Sequence, residues 1–289
     1  MNRMDDFVYP GRKAPERVVS LVPSLTESLF DLGFGWAVVG ITEYCTEPAA
    51  KVEGLPRVGG PLDARLESIL GLRPDLVIAN YEENSKDLVE ALRMQSILVW
   101  VTYPRTVGQS LELLEKMATI FRSQAALDQV RSLEMAVDWA RSAASDQPAL
   151  RYFCPIWQED DASGGRCWMT FTGDTYLSDL LSLFGGQNVF GEWAAPADQD
   201  NPLPARYPRV SFDEIYQADP ELILLPDEPF SFDESHRQEY LRLFAGTTAA
   251  KNGKIFLVDG RLIAWFGTHL AKAIEALPDL FNRISPNVT

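Results

Sequence analysis

Histidine is nearly absent from this chain: His236 and His269 are the two among 289 residues. A site holding zinc or manganese directly would draw on more imidazole nitrogens or a dedicated carboxylate set, so no resident metal is expected. Cysteine is almost as scarce. Cys45, Cys154 and Cys167 form no CxxC pair, and an odd number cannot complete a disulfide framework. Free, mostly buried thiols are expected, with Cys154 and Cys167 the one conceivable bridge. No Walker A, GxGxxG, HExxH or nucleophile-elbow pattern occurs, which leaves catalysis and a bound cofactor unsupported. No apolar run is long enough to span a bilayer. The leading residues Met1 to Pro10 lack the apolar core of an export signal and a lipobox cysteine, so the chain as written is expected in the cytoplasm. Basic charge is also in deficit. Lys and Arg number 26 against 41 Asp and Glu, for a net charge of -15 and a pI near 4.6. Such a surface repels phosphate backbones, which argues against nucleic acid, and suits docking onto a basic partner.

Hydrophobic residues make up 46% of the chain and charged residues 23%, ordinary for a globular protein with two domain-sized cores. Short apolar runs alternate with helical periodicities, which implies parallel-sheet units. Strands are expected at 17–22, 37–41, 76–79 and 97–101. Helices are expected from Ser24, with Glu27 completing a capping box, and at 67–72 and 86–94. From Thr106 to Ser145 apolar residues recur at helical spacing with no strand between; one medium helix and one long helix are read there. The second half restarts with a strand at 151–156. Helices follow at 175–184, 211–217, 239–244 and 270–282, with strands at 222–225 and 255–258. The stretch 192–208 reads as a Pro-rich loop and Gly164-Gly165 as a hairpin-like turn. The boundaries are 1–122 for an N-terminal lobe, 123–146 for a connecting helix and 147–289 for a C-terminal lobe.

The halves repeat. LFDLGFGWAVVG (Leu29 to Gly40) aligns without a gap on LLSLFGGQNVFG (Leu180 to Gly191). ESILGLRPDLVI (Glu67 to Ile78) aligns on DEIYQADPELIL (Asp213 to Leu224), matching Ile69 with Ile215, Pro74 with Pro220 and Asp75 with Glu221. Two matches in the same order imply two lobes of one topology, and pockets favour the interface between such domains.

RVVSLVPSLTESLFDLG (Arg17 to Gly33), VVGITEY (Val38 to Tyr44), RLESILGLRPDLVIA (Arg65 to Ala79), FTGDTYLSDLLSLFGGQNVF (Phe171 to Phe190) and RVSFDEIYQADPELILL (Arg209 to Leu225) together resemble the ABC-importer solute-binding proteins with a helical backbone, which receive cobalamin, haem or ferric siderophores. The resemblance covers nearly the whole chain from Arg17 onward. It implies an α/β protein of two Rossmann-like lobes with parallel central sheets joined by one long helix, the class III periplasmic-binding-protein fold. It implies a monomer that takes a small ligand between the lobes and passes it to an ABC permease. The family is extracytoplasmic, in tension with the missing export signal. That tension keeps a second reading open, a cytoplasmic cofactor-binding chaperone or sensor.

The cobalamin branch is the nearest in appearance. By that resemblance Tyr44 falls where an aromatic of the first lobe flanks the corrin, and Trp265 and Phe266 where a Trp-Phe pair of the second lobe lines the cleft. Glu67 and Asp213 fall at the acidic positions, one per lobe, that dock onto permease arginines. The residues themselves add candidates. Trp157, Trp168 and Trp193 fall at strand ends or in loops, as do Tyr81 and Tyr103, and ligands of parallel α/β sheets bind beyond the carboxyl ends of strands. Thr172, Gly173 and Asp174 precede a helix whose N–H groups could meet a ligand. Arg105 and Arg166 are the arginines a siderophore would use, and His269 could meet a metal inside a macrocycle.

Overall fold

The computed structural model describes residues 7–145, 148–160, 165–193 and 206–282. The loop read at 192–208 and the Gly164-Gly165 turn fall largely outside them. The chain divides into two units. One comprises Met1–Pro104, Gly108–Met135 and Trp265–Leu270, the other Arg105–Val107, Ala136–Ala264 and Ala271–Thr289.

The first unit starts with β1 (Val18–Ser20), α1 (Pro23–Asp31), β2 (Val38–Ile41) and the single turn α2 (Ala49–Val52). There follow α3 (Leu66–Gly71), β3 (Leu76–Asn80), α4 (Lys86–Met94) and β4 (Val99–Thr102). The strands form a parallel sheet in the order β2-β1-β3-β4. β1 and β3 are buried along their whole length, as helix-covered parallel strands must be, so they read as unbroken apolar runs. Val19, Leu21, Val77 and Val99 meet Ile69, Leu88 and Leu92 in one core. α5 (Val107–Ile120) and the 21-residue α6 (Gln124–Ala144) are the medium and long helices of the periodic stretch. α6 buries Ala126, Val130, Val137 and Ala140, and the division between units falls inside it, after Met135.

The second unit opens with β5 (Leu150–Phe153), β6 (Trp157–Asp160), β7 (Arg166–Met169), α7 (Tyr176–Ser182) and β8 (Gly186–Asn188). Next come β9 (Arg209–Ser211), α8 (Phe212–Ala218), β10 (Leu222–Pro226) and α9 (Glu234–Leu243). The chain then runs through α10 (Thr248–Lys251), β11 (Ile255–Val258), α11 (Gly260–Ala264) and α12 (Leu270–Asn282). A parallel sheet runs β11-β10-β5-β8, which in reverse is the order of the first sheet with β8, β5, β10 and β11 replacing β2, β1, β3 and β4.

The duplication extends to atoms. Arg17 donates to the carbonyls of Leu72 and Arg73, and Asp75 accepts from the Glu16 and Arg17 amides. Arg151 donates to the carbonyls of Ala218 and Asp219, and Glu221 accepts from the Arg151 amide. Arg73 (φ 48°) and Asp219 (φ 41°) are both left-handed, each ending a helix directly before Pro74 or Pro220, which disfavours helical geometry for its predecessor. Gly33 and Gly185 both have φ of 85° and close the helices that precede β2 and β8.

Two readings need correction. Ser24 and Glu27 form no capping box: the N-cap of α1 is Val22, without a side-chain bond, and Pro23 supplies the first turn, where its missing N–H is harmless. Both central sheets are parallel as expected, and β6, β7 and β9 add an antiparallel sheet of their own. Its outer strand β6 (Trp-Gln-Glu-Asp) is mostly exposed and polar, so no apolar run marks it. The helix read at 239–244 starts at Glu234, where Asp233 and His236 form the capping box. Cys45, Cys154 and Cys167 are free thiols; burial pushes the titration of Cys154 far up.

Two measurements follow. No atom lies within 4 Å of a Cβ built on Gly33 or Gly185, so Gly33→Ala and Gly185→Ala should each cost only the left-handed backbone penalty, about 1 kcal/mol in urea denaturation. The Asp219 carboxylate accepts from the Thr248 amide (2.6 Å) and hydroxyl (2.9 Å), and the amide bond chiefly holds its titration below the usual carboxylate range. A depressed carboxylate contributes stability above its unfolded value and loses it as pH falls through the folded one. Asp219→Asn, which keeps a residue tolerant of positive φ, should lower the urea midpoint at pH 7 and converge with the parent protein as pH drops through that range.

Candidate functional site

In the first unit the parallel strands discharge at one edge. β2 exits into Thr42–Cys45, β3 into Tyr81–Asn84 and β4 into Tyr103–Pro104. Tyr44 is 65% exposed, and it rests beside Gly60, whose Cβ would come within 3.4 Å of its ring. Its loop is held from beneath. Arg57 donates to the carbonyls of Thr42 and Cys45, both at 2.8 Å, and the buried Cys45 thiol meets the hydroxyls of Thr26 (3.0 Å) and Thr42 (3.1 Å). Burial raises the titration of that thiol in spite of those contacts, so it stays neutral. The β3 exit is shaped by Asn80 and Asn84. Asn80 Oδ1 accepts from the Glu82 and Glu83 amides, and Asn84 donates to Pro61 O. Tyr81 and Tyr103 then lie 5.0 Å apart, and the Tyr103 hydroxyl donates to Glu82 Oε1 (3.3 Å). Three tyrosines thus share an edge with Glu43, Glu82 and Glu83.

Trp265 and Phe266, expected on the second lobe, belong to the first unit. The physical reason is a strap of polar contacts to α1 and α5. Gly267, at φ 87°, donates its amide to Ser110 Oγ (2.8 Å), and Thr268 donates its amide to Ser28 Oγ (3.1 Å) and its hydroxyl to Asp31 (2.7 Å). A Cβ on Gly267 would collide with Ser28 Oγ. Phe266 is core, 6% exposed, whereas Trp265 is half-buried. His269 is buried too, its Nδ1 2.6 Å from Glu27 Oε2.

In the second unit, β10 exits at Asp227 and Glu228, and β11 at Asp259. Asp227 accepts from the Gly260 amide at 2.8 Å, and Arg261 pairs with Asp259 at 2.9 Å. Trp157 opens β6, 42% exposed and edge-on to Phe230 at 5.5 Å. Trp168 is a correction. It sits inside β7, 1% exposed, packed on Tyr240 and Phe244, and is committed to the core. Trp193 is half-buried against Phe190. The residue that caps α7 is Thr175, whose Oγ1 accepts from Ser178, so Thr172 and Asp174 do not cap it. Thr172 is buried and its amide donates to Arg206 O, while Asp174 forms an ion pair with Arg105 at 2.8 Å. Arg166 is shared between Glu239 (2.6 Å) and Asp160 (3.3 Å). Glu67 and Asp213 are exposed in the first turns of α3 and α8, matched positions of the repeat. Among the described residues no group of three or more His, Cys, Asp or Glu side chains is placed to hold a metal ion.

This duplicated scaffold has close counterparts among known proteins. The family model described as periplasmic binding protein matches residues 18–262, and the chain belongs to that family of solute-binding proteins. It is 28% identical over 226 residues to a vitamin B12-binding protein of Vibrio cholerae, covering 75% of this chain and 74% of that one. The crystal structure of the periplasmic vitamin B12-binding protein BtuF of Vibrio cholerae shares the fold with a TM-score of 0.75 at 20% identity, covering 93% of this chain and 98% of that one. The periplasmic haem-binding protein RhuT from Roseiflexus sp. RS-1 shares it at 0.76, with 20% identity and the same coverage. The fold is thus the class III periplasmic-binding-protein architecture.

The difference between core and edge tryptophans is measurable. Trp168→Ala should cost about 3–5 kcal/mol in chemical denaturation, as for other buried large-to-small changes, whereas Trp157→Ala should stay within about 1 kcal/mol of the parent.

Proposed function

We propose that this protein captures a corrinoid such as cobalamin and delivers it to the permease of an ABC importer, without catalysing a reaction. The observation that carries the reading is the chemistry at the strand exits. In each unit, aromatic rings stand beside carboxylates: Tyr44, Tyr81 and Tyr103 with Glu43, Glu82 and Glu83 in one, Trp157 and Phe230 with Asp227, Glu228 and Asp259 in the other. Aromatic faces suit a flat, largely apolar macrocycle. The carboxylates and phenols are acceptors for the amide N–H groups around a corrin ring, and they repel the carboxylates that haem presents.

Haem and ferric siderophores are the alternatives within the same fold. An anionic siderophore calls for arginine, yet Arg105 and Arg166 each have a carboxylate partner within 2.8 Å, which favours the corrinoid. The name of the Vibrio cholerae relative supports the same choice. Glu67 and Asp213, exposed at equivalent places in the two units, are assigned to docking on permease arginines.

Titration with cyanocobalamin, followed by tryptophan quenching and calorimetry, should give a Kd below about 10 μM, with haem and ferric siderophores much weaker. No response to cyanocobalamin alongside tight binding of haem would overturn the assignment. In vesicles carrying the cognate permease and ATPase, Glu67→Ala with Asp213→Ala should abolish uptake while leaving the Kd unchanged.

A further inference from the structure

The buried contact between Glu27 and His269 has no role in the function assigned above. Glu27 lies in the middle of α1, 2% exposed, and His269 is 3% exposed. Burying such a pair is expensive, and apolar residues of similar volume would serve packing as well or better. The His269 Nε2 atom has no partner among the described residues, so the pair is not a fully satisfied polar network that merely fills the core. Its geometry instead bears on one neighbour: the indole of Trp265 lies 5.2 Å from the imidazole, the planes tilted by 58°.

We infer that Glu27 is a positioning residue for Trp265, acting through His269. The carboxylate fixes the imidazole by its Nδ1 atom, and a fixed imidazole limits the orientations open to the ring beside it. The backbone is already pinned: Gly267 and Thr268 donate to Ser110 and Ser28. Those bonds set where the segment lies, but they do not set the side-chain torsions of Trp265, which is half-buried and not enclosed by core. An orienting polar partner behind an aromatic does for a binding site what an outer-shell carboxylate does for a metal-bound imidazole. Where Trp265 lines the ligand site, as the family resemblance implies, Glu27 would thereby control affinity from inside the fold.

The test has two arms. In the full chain labelled with 5-fluorotryptophan, the Trp265 resonance is assigned by Trp265→Phe and followed without ligand. Glu27→Leu should shift and broaden that resonance while leaving the other indoles in place, and Glu27→Gln, which still accepts from Nδ1–H, should restore it. The double variant Glu27→Leu with His269→Phe replaces the pair by apolar groups and guards against loss of folding in the single variant. It should fold with the Trp265 resonance still displaced. A sharp resonance at the parental position in the double variant would show that packing orients the ring and would overturn the inference, as would failure of Glu27→Gln to restore it.

The second arm rests on the corrinoid reading and measures cyanocobalamin affinity. If the competent orientation falls to a tenth of the population, affinity falls by about tenfold in Glu27→Leu and recovers in Glu27→Gln. An unchanged affinity in Glu27→Leu would overturn the binding role of the pair. If the parental chain does not bind cyanocobalamin, the corrinoid reading fails, and the fluorine arm still decides whether Glu27 positions Trp265.

Discussion

Every helix that feeds a parallel strand must end, turn and enter the sheet without leaving its last carbonyls bare. This protein solves that problem twice with one device. An arginine at the start of the first strand of each unit, Arg17 or Arg151, reaches the last carbonyls of the helix that precedes the neighbouring strand. A carboxylate after the proline, Asp75 or Glu221, takes up the amide at that arginine. The left-handed residue between them lets the chain reverse within one position. Sheet order, register and the direction of the strand exits all depend on that junction.

From the junction the placement of the strand-exit residues follows. The sheet fixes where β2, β3 and β4 end, and short polar networks then shape the exits. Arg57 and the Asn80–Asn84 pair hold the loops that present Tyr44, Tyr81 and Tyr103. These networks are local and at least partly buried, so Tyr44 can stand exposed while Tyr81 and Tyr103 are half-buried. That division of labour, rigid scaffold below and variable loop chemistry above, lets one fold serve ligands as different as corrinoids and haem.

Much of this was legible from residue order. α4, β11 and α12 fall where their periodicity and flanking residues place them, because local propensity and burial agree there. The duplicated prolines and acids announced two units of one topology. Legibility failed where a side chain has two possible partners. Glu27 three residues after Ser24 has the spacing of a capping box, but the carboxylate bonds His269, 242 positions away. Trp168 has the surroundings of a loop residue, yet it is the inward-facing member of an antiparallel strand whose outer neighbour is too polar to be recognised.

The sequence by itself determined the class of fold, the doubling of the unit and the supply of aromatic and acidic side chains at the strand exits, because these follow from short-range periodicity and from turn chemistry repeated in order. Tertiary structure alone decided that Trp265 and Phe266 join the first unit, that Trp168 is core and that Glu27 faces a histidine. Each of those outcomes turns on which of two buried or half-buried environments a side chain enters, and that depends on contacts between residues far apart along the chain.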